Sequence, residues 1–408
     1  MLDVQKIRQG FPVFSSKNPP TFLDGPGGTQ VPKIVIDKMT TFMSNGVGNL
    51  GGFYKSSTDA SEQMQRARIL MQKLINAKSE TELSFGANMT SLNFSISRAI
   101  CENFNKNDTV VLSELDHEAN ISPWQVMAKE KNFSIKFLEF DKKDYKLKLE
   151  DIENIFKDNN VKLLALGLAS NICGTITELK KIIKLAHSNG AKVLLDAVPF
   201  IAHKKLDVQD LDCDFLLCSA YKFCGPHLGI LYSKTSAMKD IKAVKISPAP
   251  SLAPFCFETG TQNFEALAGL EACILHKASL NGKNFDDIRT SLKYSMELII
   301  EHENNLKSAF IQGLEKQAHI KIHGLSNLSE IDNRTPTFAL EFLNHNSKKV
   351  CELLSKKNIC LGFGDFYVPR FIKKLNLENK NGIVRVGFAY YNTLEEVEYV
   401  LNEFAKLT

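Results

Sequence analysis

A chain of 408 residues with 44% hydrophobic and 24% charged residues has an ordinary globular composition, which excludes a disordered chain, a collagen-like repeat and a coiled coil. Fifty Lys and Arg against 46 Asp and Glu leave a net charge of +4, with no basic run long enough to follow a phosphate backbone, so nucleic acid is not an expected partner. No stretch of about 18 apolar residues appears, so no membrane partner is expected, and the length suggests two to three domains.

The first residues, Met1-Leu2-Asp3-Val4-Gln5-Lys6, do not resemble a secretory leader. The first 25 residues read as irregular, with Pro12, Pro19 and Pro20, and they end in the turn Asp24-Gly25-Pro26-Gly27-Gly28. A helix is expected from about Val31 to Met43, then a Gly-rich stretch, Gly46 to Gly52. An amphipathic helix follows from about Thr58 to Ile75, with Met64, Ala67, Leu70, Met71, Leu74 and Ile75 on one face. Strand and helix signals then alternate. Strands are expected at 82–85, 109–113, 133–140, 162–168, 192–195 and 215–219, with helices at 90–104 and 178–187. Apolar strands alternating with helices predict a parallel sheet covered on both faces, with ligands at the carboxyl ends of its strands.

After about Ala266 the pattern changes. A long helical region, Phe264 to Gly313, contains a break at Gly282. Then come a strand (337–342), a helix (347–356), short strands at 359–361 and 384–390, and a last helix begun by the capping box Thr393-Leu394-Glu395-Glu396. This reads as a smaller α+β domain. The nine cysteines are scattered, lack Cys-x-x-Cys and lack zinc-ligand spacing, so no metal is expected; they read as reduced thiols of a cytoplasmic protein.

Three residues sit just past apolar strands: Asn171, Asp196 and Lys222. A lysine between an apolar strand and Gly225-Pro226 is either a surface loop residue or a desolvated amine able to form a Schiff base. An aspartate at a strand end is commonly a turn or cap residue. Together they suggest more. Pyridoxal phosphate needs a lysine for its aldehyde and a carboxylate for its pyridine nitrogen. The turn Gly86-Ala87-Asn88-Met89-Thr90-Ser91 opens a helix and suits a phosphate, although an ordinary helix start looks the same. His117 is either a polar-loop residue or a flat ring able to stack on a cofactor. Arg385, a charge inside an apolar strand, needs a carboxylate from the protein or from a substrate.

The run Asp196-Ala197-Val198 … His203 … Asp207-Val208-Gln209 … Leu211-Asp212-Cys213-Asp214-Phe215 … Ser219-Ala220-Tyr221-Lys222 … Gly225-Pro226 … Gly229-Ile230-Leu231-Tyr232 resembles aminotransferase class V, and within it the cysteine desulfurase-like group. Supporting matches are Asp116-His117-Glu118-Ala119-Asn120, Ser170-Asn171, Gly174-Thr175, Glu258-Thr259-Gly260-Thr261, and Arg385 with Tyr391-Asn392-Thr393. The resemblance spans roughly residues 20 to 405.

It implies an α/β fold type I enzyme that forms a homodimer and uses pyridoxal 5'-phosphate. Residues 1–25 would pack on the small domain, 26–265 would form the large cofactor-binding domain, and 266–408 would hold connecting helices and the small α+β domain. By resemblance, Lys222 forms the internal aldimine, Asp196 pairs with the pyridine nitrogen and His117 stacks on the ring. Asn171 lies near the phenolic oxygen. Ala87, Asn88, Ser219 and Tyr221 contact the phosphate, and Thr261 reaches the phosphate bound in the partner subunit. Arg385 holds the substrate carboxylate.

Two departures stand out. The loop that carries the desulfurase nucleophile reads Leu361-Gly362-Phe363-Gly364-Asp365-Phe366-Tyr367-Val368-Pro369-Arg370 and has no cysteine, although Cys360 precedes it and Cys224 lies close to Lys222 in sequence. Pro199 stands three residues after Asp196, where relatives place Gln or His. The expected activity is a lyase or transferase reaction on a small amino acid through an external aldimine. An aminotransferase or an epimerase on the same scaffold is the alternative, and a catalytically inactive cofactor-binding protein is the rival of a different kind.

Overall fold

Residues 2–239, 241–283 and 285–407 are described by the structure, a computed structural model. The N-terminal segment is not irregular throughout. It holds a helix, Val4–Gln9, capped by the Asp3 carboxylate, and the strand β1 (Thr21–Phe22). A helix of six residues is too short to display an apolar period, so pattern reading passes over it. Phe11 is fully buried, and Arg8 bridges to Glu396 at 3.0 Å.

The apolar runs of the first half assemble into a seven-stranded sheet. Its strands are β2 (Leu83–Gly86), β3 (Asp108–Ser113), β4 (Ser134–Leu138), β5 (Asn160–Gly167), β6 (Lys192–Asp196), β7 (Phe215–Ser219) and β8 (Gly229–Ser233). The order is β2-β8-β7-β6-β5-β3-β4. Only β8 runs antiparallel to its neighbours. Alternate residues feed two cores. Leu164, Leu166, Val193, Leu195 and Leu216 pack with the helices on one face, and Leu163, Ala165, Leu194, Phe215 and Leu217 on the other. Side chains of a strand point to opposite faces in turn, and covering both faces makes the whole strand apolar. Each fully buried Leu contributes about 2 kcal/mol. This is the α/β fold expected from the sequence.

The helical region divides into Phe264–Ser279 and Ile288–Leu314. Gly282 lies between them at φ +67°, and Asp287 caps the second helix. A four-stranded antiparallel sheet completes the fold: β9 (Ile320–His323), β10 (Thr337–Phe342), β12 (Gly362–Gly364) and β13 (Ile383–Gly387), in the order β12-β13-β10-β9. The short strand β11 (Ile359–Cys360) pairs in parallel with β1. The sequence signals miss β8, β9 and β12. Strand β9 alternates charged and apolar residues over only four positions, and β12 is mostly glycine. The capping box at Thr393 and Glu396 forms as its spacing predicts. Among the described residues no helix is long and apolar enough to cross a membrane.

Candidate active site

Five parallel strands, β2, β3, β5, β6 and β7, end at one edge of the large sheet, and the residues just beyond them line a cavity of about 1050 Å³. Lys222 ends the short turn that follows β7. The amides of Phe223 and Gly225 both donate to the Ala220 carbonyl, and a Cβ on Gly225 would meet Ala220 at 2.9 Å, so the turn requires glycine there. The ammonium donates to the carbonyls of Pro26 and Gly27, the latter at 3.0 Å. Burial, then the nearby Arg385 guanidinium, lower the Lys222 pKa to about 8.

Asp196 is the last residue of β6 and is buried. One of its oxygens accepts the Val198 amide at 2.8 Å. Burial raises its pKa to about 6. A cation lodged in the cavity would reverse that shift, because the cost of the lone buried charge would be shared.

His117 follows β3. Its Nδ1 accepts the Ala119 amide at 2.9 Å, which leaves the proton of the neutral ring on Nε2. Burial, then the charges of Lys222 and Arg385, lower its pKa to about 4, so the ring is uncharged near neutrality. It is held from behind by its neighbour. Asp116 accepts the Gly167 amide at 2.9 Å and the Asn120 side-chain amide at 3.2 Å, which ties the loop after β3 to the end of β5.

Burial pushes the Asp116 carboxyl up to about 8. Between about pH 4 and 8 the folded chain therefore keeps a proton that the unfolded chain releases. Stability owed to this residue falls as pH rises through that window. We expect the cofactor-free protein to lose more thermal stability between pH 5 and 8.5 than its Asp116→Asn variant does. Equal losses in paired melting curves would contradict the assignment.

Arg385 lies in the middle of β13, in the small sheet, and reaches across to the large one. Nη2 donates to Asp24 at 2.8 Å and Nη1 to the Asn171 carbonyl at 3.2 Å, while the guanidinium lies 3.9 Å over the Phe366 ring. Its Nε is sealed and unpartnered, as is Asn171 Oδ1. The Asn171 side-chain NH₂ donates to the Phe366 carbonyl at 2.9 Å. Buried polar atoms without partners are uncommon, and two in one cavity point to a polar ligand.

The opposite wall is the start of the helix Met89–Ile100. Asn88 caps it by accepting the Ser91 amide at 2.9 Å, and the Met89 amide donates to Ser219 Oγ at 2.9 Å. A helix start beside two hydroxyl-bearing residues favours an anion. The Tyr221 ring stacks on His227 at 4.6 Å between centroids. Of the residues singled out from the sequence, Lys222, Asp196, His117, Asn171, Asn88, Ser219, Tyr221 and Arg385 meet at this cavity. Ala87 and Thr261 are exposed and do not line it.

Among the described residues, no cysteine lines the cavity. Cys224 is buried near Tyr390, and Cys360 lies on β11 opposite Phe22; burial raises the pKa of both thiols. The loop from Leu361 to Arg370 is fastened down. Asn171 holds the Phe366 carbonyl, the Glu118 amide donates to the Tyr367 carbonyl at 2.8 Å, and Arg370 pairs with Glu118. The Tyr367 ring comes within 5.1 Å of His117. Asp24, Phe366, Tyr367 and His227 are site residues that sequence reasoning did not single out as such. Asp24 was visible only as the start of a turn, since nothing in its spacing announces a residue 361 positions away.

The model of the aminotransferase class V family matches residues 21–400. The chain belongs to this family. Cysteine desulfurase of Escherichia coli O8 strain IAI1 is 30% identical over 99% of this chain and 98% of its own length. The apo cysteine desulfurase of Thermococcus onnurineus NA1 superposes with a TM-score of 0.88 at 24% identity, covering 100% of this chain and 98% of that one. The S-sulfonic acid form of the Escherichia coli cysteine desulfurase CsdA gives 0.82 at 21% identity, covering 100% and 99%. Class V aminotransferases and cysteine desulfurases are pyridoxal-phosphate enzymes of fold type I, so the chain is an enzyme of that class. The donor set fits the cofactor: a desolvated amine, a sealed carboxyl, a neutral imidazole, a helix start and two orphaned polar atoms share one cavity.

Proposed function

We propose that the protein uses pyridoxal 5'-phosphate, held by Lys222, to act on a small amino acid in a lyase or transferase reaction. The observation that carries this reading is the convergence of Lys222, Asp196 and His117 on a single cavity. Bound there, the cofactor supplies an aldehyde that captures an amine and a protonated ring that withdraws electrons from the α-carbon. Asp196 keeps the proton on the ring nitrogen. His117, uncharged, would be the face on which the ring stacks, and Asn171 would hold the phenolic oxygen. Asn88, Ser219 and Tyr221 hold the phosphate, with Ala87 contributing backbone at the same turn.

Lys222 has a second task. With its pKa lowered to about 8, a useful fraction of the amine is free near neutrality. Freed from its tether, Lys222 would be the base placed to take a proton from the substrate α-carbon. Arg385 binds the substrate carboxylate. The substrate would share or displace Asp24 on Nη2. Arg385→Ala should weaken an α-amino acid by about 10- to 100-fold, the loss of one or two charge-assisted hydrogen bonds, and barely change the matching decarboxylated amine. Spectral titrations with the two ligands check this; equal losses would remove the role.

The cavity's lack of a thiol and the fastened loop argue against desulfuration by the usual loop cysteine. Product analysis separates the branches. Sulfide or ammonia release marks a lyase, a keto-acid-dependent half-reaction marks an aminotransferase, and loss of optical rotation marks an epimerase. A protein whose spectrum ignores every amino acid would be an inert binder. The same reading takes residues 1–25 as a segment on the small domain, 26–265 as the cofactor domain and 266–408 as connecting helices and small domain. It also takes the enzyme as a cytoplasmic homodimer. Free thiols support the first of these last two terms. Exposed Val47, Leu50, Phe53 and Tyr54, with Val244, Ile246 and Leu252, support the second, in which Thr261 would face the partner's phosphate.

A further inference from the structure

One turn, Asp24-Gly25-Pro26-Gly27-Gly28, holds both the lysine and the arginine that line the cavity. Asp24 accepts from Arg385 Nη2 at 2.8 Å, and the Pro26 and Gly27 carbonyls accept from the Lys222 ammonium. The turn is anchored at its two ends. The Gly25 amide donates to the Gly387 carbonyl at 3.2 Å, two residues past Arg385 on β13. The Thr29 amide donates to the Tyr221 carbonyl at 3.2 Å, next to Lys222. A Cβ on Gly27 would lie 2.2 Å from Asp24 Oδ2 and 2.7 Å from its Cγ, so the carboxylate keeps its place only beside a glycine.

The two members of this ion pair differ in burial. The Arg385 side chain is 6% exposed and that of Asp24 is 39% exposed. A carboxylate already partly in water can swing outward without further desolvation. The other Arg385 contacts are the Asn171 carbonyl and the Phe366 ring, neither of them charged, so Asp24 supplies the negative charge. Two carboxylates on one guanidinium nitrogen repel each other strongly where water is scarce. An incoming carboxylate therefore replaces Asp24 rather than joining it. A plain carboxylate has nothing else to set against that eviction, whereas an α-amino acid also has its amine.

We propose that Asp24 is a specificity-determining residue, a built-in stand-in for the substrate carboxylate that keeps simple anions off Arg385 until an α-amino acid evicts it. The proposal rests on the reading of Arg385 as the substrate-carboxylate site.

The test is calorimetric titration of the purified, cofactor-loaded protein with propionate, a carboxylate that lacks the amine. Asp24→Asn should bind propionate about tenfold more tightly than the parent, the gain from opening a site that its own carboxylate fills about nine-tenths of the time. The gain should vanish in an Arg385→Ala background, because the competition takes place on that guanidinium. Parent-like or weaker binding in Asp24→Asn would make Asp24 a support for Arg385 rather than its occupant and would overturn the proposal. So would a gain that survives in the Arg385→Ala background, which would be a general effect of charge. If Asp24→Asn does not fold, Gly27→Ala decides: it keeps the charge but crowds the carboxylate from its place, so it should tighten propionate, and an unchanged or weaker affinity overturns the proposal. A parent protein that takes up no pyridoxal phosphate would sink the cofactor reading instead, since the heat of propionate binding does not depend on a visible band.

Discussion

Replacing Lys222 with alanine should abolish both the visible band and turnover. The residue has two roles, and alanine removes them together. The covalent tether disappears, so cofactor would be held only through the phosphate wall, Asp196 and His117. The base for the α-proton disappears as well, and a positioned acid–base group supplies about 10²- to 10⁴-fold by itself. The fold should survive. The side chain donates only to two backbone carbonyls, of Pro26 and Gly27, and is not part of either hydrophobic core of the sheet. Circular dichroism and melting curves near those of the parent, with no borohydride-stable adduct, are the expected result. A persistent adduct in the alanine variant would assign the linkage to another amine.

Asp196→Asn should be nearly as damaging, for a different reason. The carboxylate is sealed and accepts one amide, so its free oxygen is the group available to a ring cation. An uncharged amide leaves that cation buried without a counter-charge, at a cost of about 3–5 kcal/mol. The ring then gives up its proton and loses its pull on the α-carbon. We expect about a 10²- to 10³-fold loss of turnover with the lysine linkage still formed, so that the band remains while the rate collapses. Because the Val198 amide can still bond the remaining carbonyl oxygen, stability should change little. Parent-like turnover in this variant would take the ring nitrogen away from Asp196.

Much of this was legible in the chain. The all-apolar runs at 163–166, 193–195 and 215–218 could be satisfied only by a sheet covered on both faces, which brings the ends of those strands to one edge. Lys222, Asp196 and Asn171 follow directly. What sequence could not supply were contacts made by residues far apart. Asp24 on Arg385 spans 361 positions, and His203 on Glu303 spans 100. The short strands β9 and β12 were silent because four residues hardly establish a period and glycine carries no side chain to report a face. The helix Val4–Gln9 was hidden in the same way by its length. Phe366 and Tyr367 read as ordinary loop aromatics, since their importance lies in the backbone carbonyls that Asn171 and Glu118 hold, and carbonyls leave no trace in a sequence.

The account turns on one covalent attachment. Borohydride reduction of the pyridoxal-phosphate-loaded protein, followed by peptide mass analysis, reads it directly. The expected result is a single phosphopyridoxyl group on Lys222. Its appearance on any other lysine, or no incorporation at all, would contradict the central claim.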